Sequence, residues 1–223
     1  MKFNCTKYKG KMNPNTLYEI QQSNIIQFVE KQKGIAEDFI NVSFKLEGNQ
    51  YGMFANEYRP GFIADSKKVD ILLLIIDETK KICSSWILDI KVSVGGEDVI
   101  RHLIEQWQAS YQHKCTLTNY LDGFMETEIV GVITRNYQED RIKTYVENKK
   151  NSIEKLTQIL DAMPNSALKM DQQRRLLNLK LEYSMYEKFQ KGYVTILGKD
   201  YPITIYRLEG DKVPYSCDME IQC

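Results

Sequence analysis

Two apolar runs separated by a short polar turn constrain this chain more than any other feature. Residues 69–76 read Val-Asp-Ile-Leu-Leu-Leu-Ile-Ile, apolar on both faces once the aspartate is passed, as a central strand covered on both sides requires. The turn Asp77-Glu78-Thr79-Lys80-Lys81 leads into a second strand over 84–94, which Gly95-Gly96 ends. Glu97-Asp98 then open a helix with negative charge where the macrodipole favours it. Ile100, Leu103, Ile104, Trp107 and Tyr111 give that helix one buried stripe. The expected class is α/β, a mixed sheet flanked by helices.

The rest of the chain is organised around this unit. Leu17, Ile20, Ile25, Phe28 and Val29 recur at roughly helical spacing, so a first helix is expected from its N-cap Asn15 to about Gly34. Alternation over 38–46 predicts a strand with Ile40, Val42, Phe44 and Leu46 on one face. A strand over 128–134 precedes a helix over 138–163 and, after Pro164, another over 166–191, together a helical hairpin. Residues 193–197 and 201–208, joined by Gly198-Lys199-Asp200, read as a β-hairpin. Residues 1–136 thus form the α/β core, and 137–223 a helical and a β-hairpin packed on it within one continuous domain.

Composition removes several function classes. Thirty basic and thirty acidic side chains cancel, so the molecule as a whole does not attract a polyanion, and any such partner meets a local patch or another subunit. The apolar run 71–76 is far short of the ~20 residues of a membrane helix, and no apolar segment follows the N-terminal lysines as in a signal peptide. Five scattered cysteines without a CxxC pair suit a reducing compartment, so a cytoplasmic location is expected. His102 and His113, the two histidines, are too few to suggest zinc and read as solvated residues on the helix's polar side or end.

Side-chain parity in the second strand points to chemistry. Trp86, Leu88, Ile90, Val92 and Val94 are expected to face the core, while Ile87, Asp89, Lys91 and Ser93 share the other face. If the strands pair antiparallel with Ile76 opposite Cys83, Asp70 falls opposite Asp89. Like charges so placed are destabilising, and positive charge is needed between them. Lys91 supplies part, and a divalent metal with a preference for carboxylate oxygen, such as Mg²⁺, would supply the rest. The alternative is an ordinary ion pair between Asp89 and Lys91 on an exposed sheet face.

The pattern Val69-Asp70-Ile71-Leu72-Leu73, followed nineteen residues beyond Asp70 by Asp89-Ile90-Lys91 in Trp86-Ile87-Leu88-Asp89-Ile90-Lys91-Val92-Ser93 and then a helix, resembles the PD-(D/E)XK nuclease superfamily. The resemblance covers about 15–135 and implies a restriction-endonuclease-like core. It implies that Asp70, Asp89 and the Ile90 carbonyl hold Mg²⁺, with Mn²⁺ as a possible substitute, and that Lys91 orients or activates the attacking water. Val69 stands where the motif's name has proline. Gln106 only approximates the Gln-x-x-x-Tyr of RecB-like members, Tyr111 being one residue late, and is a candidate support or DNA-contacting residue. Glu19 or Glu30 is the candidate additional acid. The implied activity is Mg²⁺-dependent hydrolysis of DNA, with RNA a less favoured substrate. The context implied is the nuclease subunit of a bacterial restriction, defence, repair or mobile-element system, targeted by a protein partner or a second copy. The competing class is a binding or scaffolding subunit that keeps the fold without the activity.

Overall fold

The computed structural model describes residues 18–21, 25–31, 39–47, 50–55, 69–119, 121–164, 167–208 and 216–222. Its N-terminal part is built of strands: β1 (Tyr18–Gln21), β2 (Ile25–Lys31), β3 (Phe39–Lys45) and β4 (Gln50–Ala55). Where the span 15–34 is described, β1 and β2 stand in place of the expected helix, and its N-cap Asn15 and its end at Gly34 lie outside the described residues. The helical spacing concealed a two-residue period, since Ile26 is buried with Phe28 packed beside it while Ile25 is 44% exposed. β-Branched residues there favour the extended chain.

The two apolar runs become β5 (Ile71–Asp77) and β6 (Ile82–Val94), paired antiparallel with Ile76 opposite Cys83, the register expected from the turn. Helix α1 (Glu97–Thr118) carries the chain to β7 (Met125–Tyr137), which lies parallel to β6. Helices α2 (Glu139–Ala162) and α3 (Ala167–Gln190) form the hairpin, followed by β8 (Tyr193–Ile196) and β9 (Lys199–Arg207). β9 returns parallel beside β7, so the C-terminal β-hairpin extends the main sheet instead of lying on it. Its tight turn is Leu197-Gly198, both with positive φ, not the later Gly198-Lys199-Asp200. A last strand, β10 (Ser216–Gln222), which no sequence signal suggested, pairs parallel with β3.

The mixed main sheet runs β1-β4-β5-β6-β7-β9-β8, and a second sheet runs β10-β3-β2. Two apolar clusters show how they stack. Ile71, Leu73 and Ile75 of β5 with Trp86, Leu88 and Ile90 of β6 meet Ile26, Ile40, Val42, Phe44 and Ile221 of the small sheet. Leu72, Leu74, Ile76 and Ile87 meet Ile100, Leu103, Ile104 and Trp107 of α1, Ile142 and Val146 of α2, and Tyr186 and Phe189 of α3. The main sheet is thus the middle of three layers, with helices on one face and the small sheet on the other. Gly52 permits the close approach of the two sheets, because a Cβ there would lie 1.8 Å from Ile26 Cδ1.

The parity expected along β6 holds through Ile90 and then breaks. Val92 is 49% exposed, and Val94 joins the helix-side cluster rather than that of Trp86, Leu88 and Ile90. The paired positions between β6 and β7 skip Val92, whose carbonyl instead accepts a hydrogen bond from the Thr134 hydroxyl at 3.2 Å. The register is the same on either side of this position, Lys91 pairing with Thr134 and Ser93 with Asn136, so no residue is inserted there.

Candidate active site

Asp70 stands at the head of β5, where the pairing of Ile71 with Leu88 sets it beside Asp89. Parity with Ile87 turns Asp89 toward α1. The two aspartates are tied through the main chain: the Asp70 N–H donates to Asp89 Oδ1 at 3.3 Å, and the Ile90 N–H donates to Asp70 Oδ2 at 2.7 Å. Lys91 Nζ lies 2.5 Å from Asp89 Oδ2. Asp70, Asp89, Ile90 and Lys91 are therefore brought together, Ile90 through its main-chain N–H.

Burial changes what this group means. Asp89 is fully buried, whereas the Lys91 side chain keeps 23% of its surface and Asp70 is exposed. An ion pair exists, but it does not lie on an exposed sheet face. Burial, the neighbouring Asp70 charge and the hydrogen bond shared with Asp70 push the Asp89 carboxyl up from 3.8 to about 8, against the pull of Lys91. The uncharged form of Asp89 is thereby favoured, and added positive charge nearby would favour the ionised form. Two adjoining carboxyls offer hard oxygen donors of the kind Mg²⁺ takes. Among the described residues, no three His, Cys, Asp or Glu side chains gather as a metal-binding group.

Helix α1 fixes the entrance to the site. Its buried Ser110 hydroxyl accepts the Val69 N–H at 2.9 Å, holding the backbone immediately before Asp70. The helix is docked on the sheet by the Trp107 indole N–H, which donates to the Gly131 carbonyl at 3.1 Å. Its first turn is held by Lys149, 3.0 Å from Glu97, and by the Tyr186 hydroxyl, which donates to the Glu97 carbonyl at 3.3 Å. Between Lys91 and this end of α1 opens a cleft of about 420 Å³, lined by Lys91, Asp98, Val99, Arg101, His102 and Glu105.

The other sequence candidates lie on α1, β1 and β2. Gln106 is buried on α1 and is not among the residues lining the cleft. Glu19 lies on β1, separated from β5 by β4, and Glu30 lies on β2 in the small sheet. Neither strand neighbours β5 or β6 within a sheet. His102 is exposed as expected, but His113 is buried, because it lies on the inward side of α1's last turns.

Sequence reading missed Ser110, the cleft face of α1, and a second charged cluster. Lys114, 2% exposed, contacts Glu126 and lies 2.9 Å from Glu128, which also accepts from the Tyr111 hydroxyl at 2.9 Å. Tyr201 donates to Tyr111 at 2.6 Å, so the cluster joins α1, β7 and β9. Burial alone would lower the Lys114 ammonium, but its hydrogen bonds to both glutamates hold it above the ordinary lysine value. The signal was available: Lys114 lies seven residues beyond Trp107, on the buried stripe.

No family model matches the chain, and no curated protein or solved structure matches it. Among the described residues, no helix is long and apolar enough to cross a membrane.

Proposed function

We propose that this chain is a Mg²⁺-dependent endonuclease of the PD-(D/E)XK kind that hydrolyses DNA, RNA being the less favoured substrate. It acts in the cytoplasm as the nuclease subunit of a bacterial restriction, defence, repair or mobile-element system. A protein partner or second copy brings it to its target, as a net charge of zero requires some local or external means of meeting a polyanion. The observation that carries this reading is the juxtaposition of Asp70 with a buried Asp89 that Lys91 contacts. Support for a restriction-endonuclease-like core comes from the antiparallel run β4-β5-β6 continued through α1 into parallel β7.

Asp70, Asp89 and the Ile90 carbonyl would hold Mg²⁺ or Mn²⁺, which lowers the pKa of bound water and neutralises charge on phosphoryl oxygens. Asp89 is rigidly placed by burial on both faces of β6. Lys91 reaches from Asp89 to the solvent-open cleft, where Nζ can donate to the attacking water or to a phosphoryl oxygen. Ser110 keeps the Asp70 backbone in register with Asp89.

The test is nicking of supercoiled plasmid with Mg²⁺ or Mn²⁺ by the wild type, Asp89→Ala and Lys91→Ala, with metal binding followed by calorimetry. Metal-dependent nicking by the wild type is expected, with Asp89→Ala losing metal binding. Lys91→Ala should lose about 10²-fold or more in rate while retaining metal. A folded wild type that neither nicks DNA nor binds either metal overturns the reading.

A further inference from the structure

Asp98, Arg101, His102 and Glu105 recur at three- and four-residue intervals and so form one polar face of α1's first turns. Opposite them, Ile100, Leu103, Ile104 and Trp107 are buried against the sheet. The polar face forms a wall of the same open cleft as Lys91, the residue that leads out from the aspartate pair. The helix thus packs with one face and presents donors to the cleft with the other.

Arg101 is suited to hold an anion there. One guanidinium nitrogen contacts the Asp98 carboxylate, which orients the group, while the side chain remains half exposed. A guanidinium has five N–H donors in a planar fork, so contact with one carboxylate leaves donors for a phosphate. His102 lies beside it with at least one ring N–H to donate. Asp98 and Glu105 balance the basic side chains, so the cleft would select an anion by donor placement rather than by net charge. Its volume lies within the ~300–1,000 Å³ of small-ligand sites, room for one nucleotide unit rather than a duplex groove.

We propose that this cleft is a subsite for a backbone phosphate of the DNA strand, adjacent to the scissile one and held by Arg101 with His102. This rests on the nuclease reading for the nature of the ligand. It adds which residues position the strand, and it implies that the substrate enters along α1's N-terminal half.

The experiment measures binding of a labelled DNA oligonucleotide by fluorescence anisotropy, with Ca²⁺ replacing Mg²⁺ so that binding is read without cleavage. The salt is varied between about 50 and 200 mM. Arg101→Ala should weaken binding several-fold and reduce the slope of log K against log salt by about one. His102→Ala should weaken it as well. Arg175→Ala, an exposed cation on α3 outside the cleft, should leave affinity and slope at wild-type values. Wild-type binding by Arg101→Ala, an equal loss from Arg175→Ala, or no DNA binding by the wild type overturns the subsite. Binding that depends on Arg101 in a wild type that cannot cleave with Mg²⁺ leaves the subsite standing and removes only the hydrolytic reading.

Discussion

Replacing Asp89 with asparagine should stabilise the metal-free protein at high pH, although it removes a residue assigned to the site. The Asp89 carboxyl is fully buried and its pKa rises from 3.8 to about 8, first through burial and then through Asp70. The folded state therefore binds this proton more tightly than the unfolded chain does. Between about pH 4 and pH 8 unfolding releases it, so the wild type loses stability as pH rises through this window and levels off above it. At ~1.36 kcal/mol per pKa unit, the loss is on the order of 5 kcal/mol. Asparagine keeps the shape but cannot ionise and escapes the loss. Urea denaturation with EDTA, from pH 4 to pH 9, should show the variants within about 1 kcal/mol of each other at the acid end, the net worth of an ordinary hydrogen-bond difference. Asp89→Asn should be the more stable by several kcal/mol at the alkaline end. Taking the difference between the two proteins removes the titration of carboxylates elsewhere, such as Glu128, whose downward shift acts in the opposite direction. Added Mg²⁺ should restore the wild type alone at high pH. An Asp89→Asn protein no more stable than wild type at pH 9 would refute the reasoning.

Two further outcomes follow from the packing around the site. Ser110→Ala leaves the buried Val69 N–H without its acceptor and should cost about 1–3 kcal/mol in urea denaturation. It should also weaken Mg²⁺ binding by calorimetry, because the freed backbone leads directly into Asp70; unchanged metal affinity would confine Ser110 to a structural part. Gly131→Ala would bring a Cβ within 2.4 Å of the Thr204 carbonyl on β9, a backbone atom that cannot rotate away. A loss of roughly 1–3 kcal/mol is expected from such overpacking, and a urea midpoint equal to wild type would show that β9 can shift.

The arrangement of β5 and β6 was legible because few alternatives existed. The polar turn between two apolar runs sets the register, and a one-residue slip would have put Asp70 and Asp89 on opposite faces of the sheet. By contrast, the 15–34 stretch offered both a helical and a two-residue period. The deciding factor was non-local: β2 pairs with β3, which pairs with β10 from the far end of the chain. A helix reading weighs only local spacing and cannot see partners so distant in sequence. Val92 misled for a related reason, since parity assumes an unbroken ladder and the pairing with β7 skips this position.

The same non-locality decides how Asp89 and Lys91 are to be understood. From sequence alone, alternating Asp and Lys are as compatible with sheet surface as with a site, and the choice depends on what covers the face. Ile87, on the same face as Asp89, is packed in the cluster that contains α1, while Leu88 and Ile90 bury the opposite face under the small sheet. With both faces closed, Asp89 cannot be a solvated sheet residue, and its carboxyl must be protonated, paired or bound to a cation. Lys91 offsets only part of the cost of burial, because the carboxyl pKa is still raised with the lysine in contact, and the neutral form satisfies the buried group. Positive charge on the side of Asp70 would favour the ionised form instead. Without further charge the uncharged form is favoured, whereas a divalent cation between the aspartates would favour ionisation, so metal binding there would release a proton.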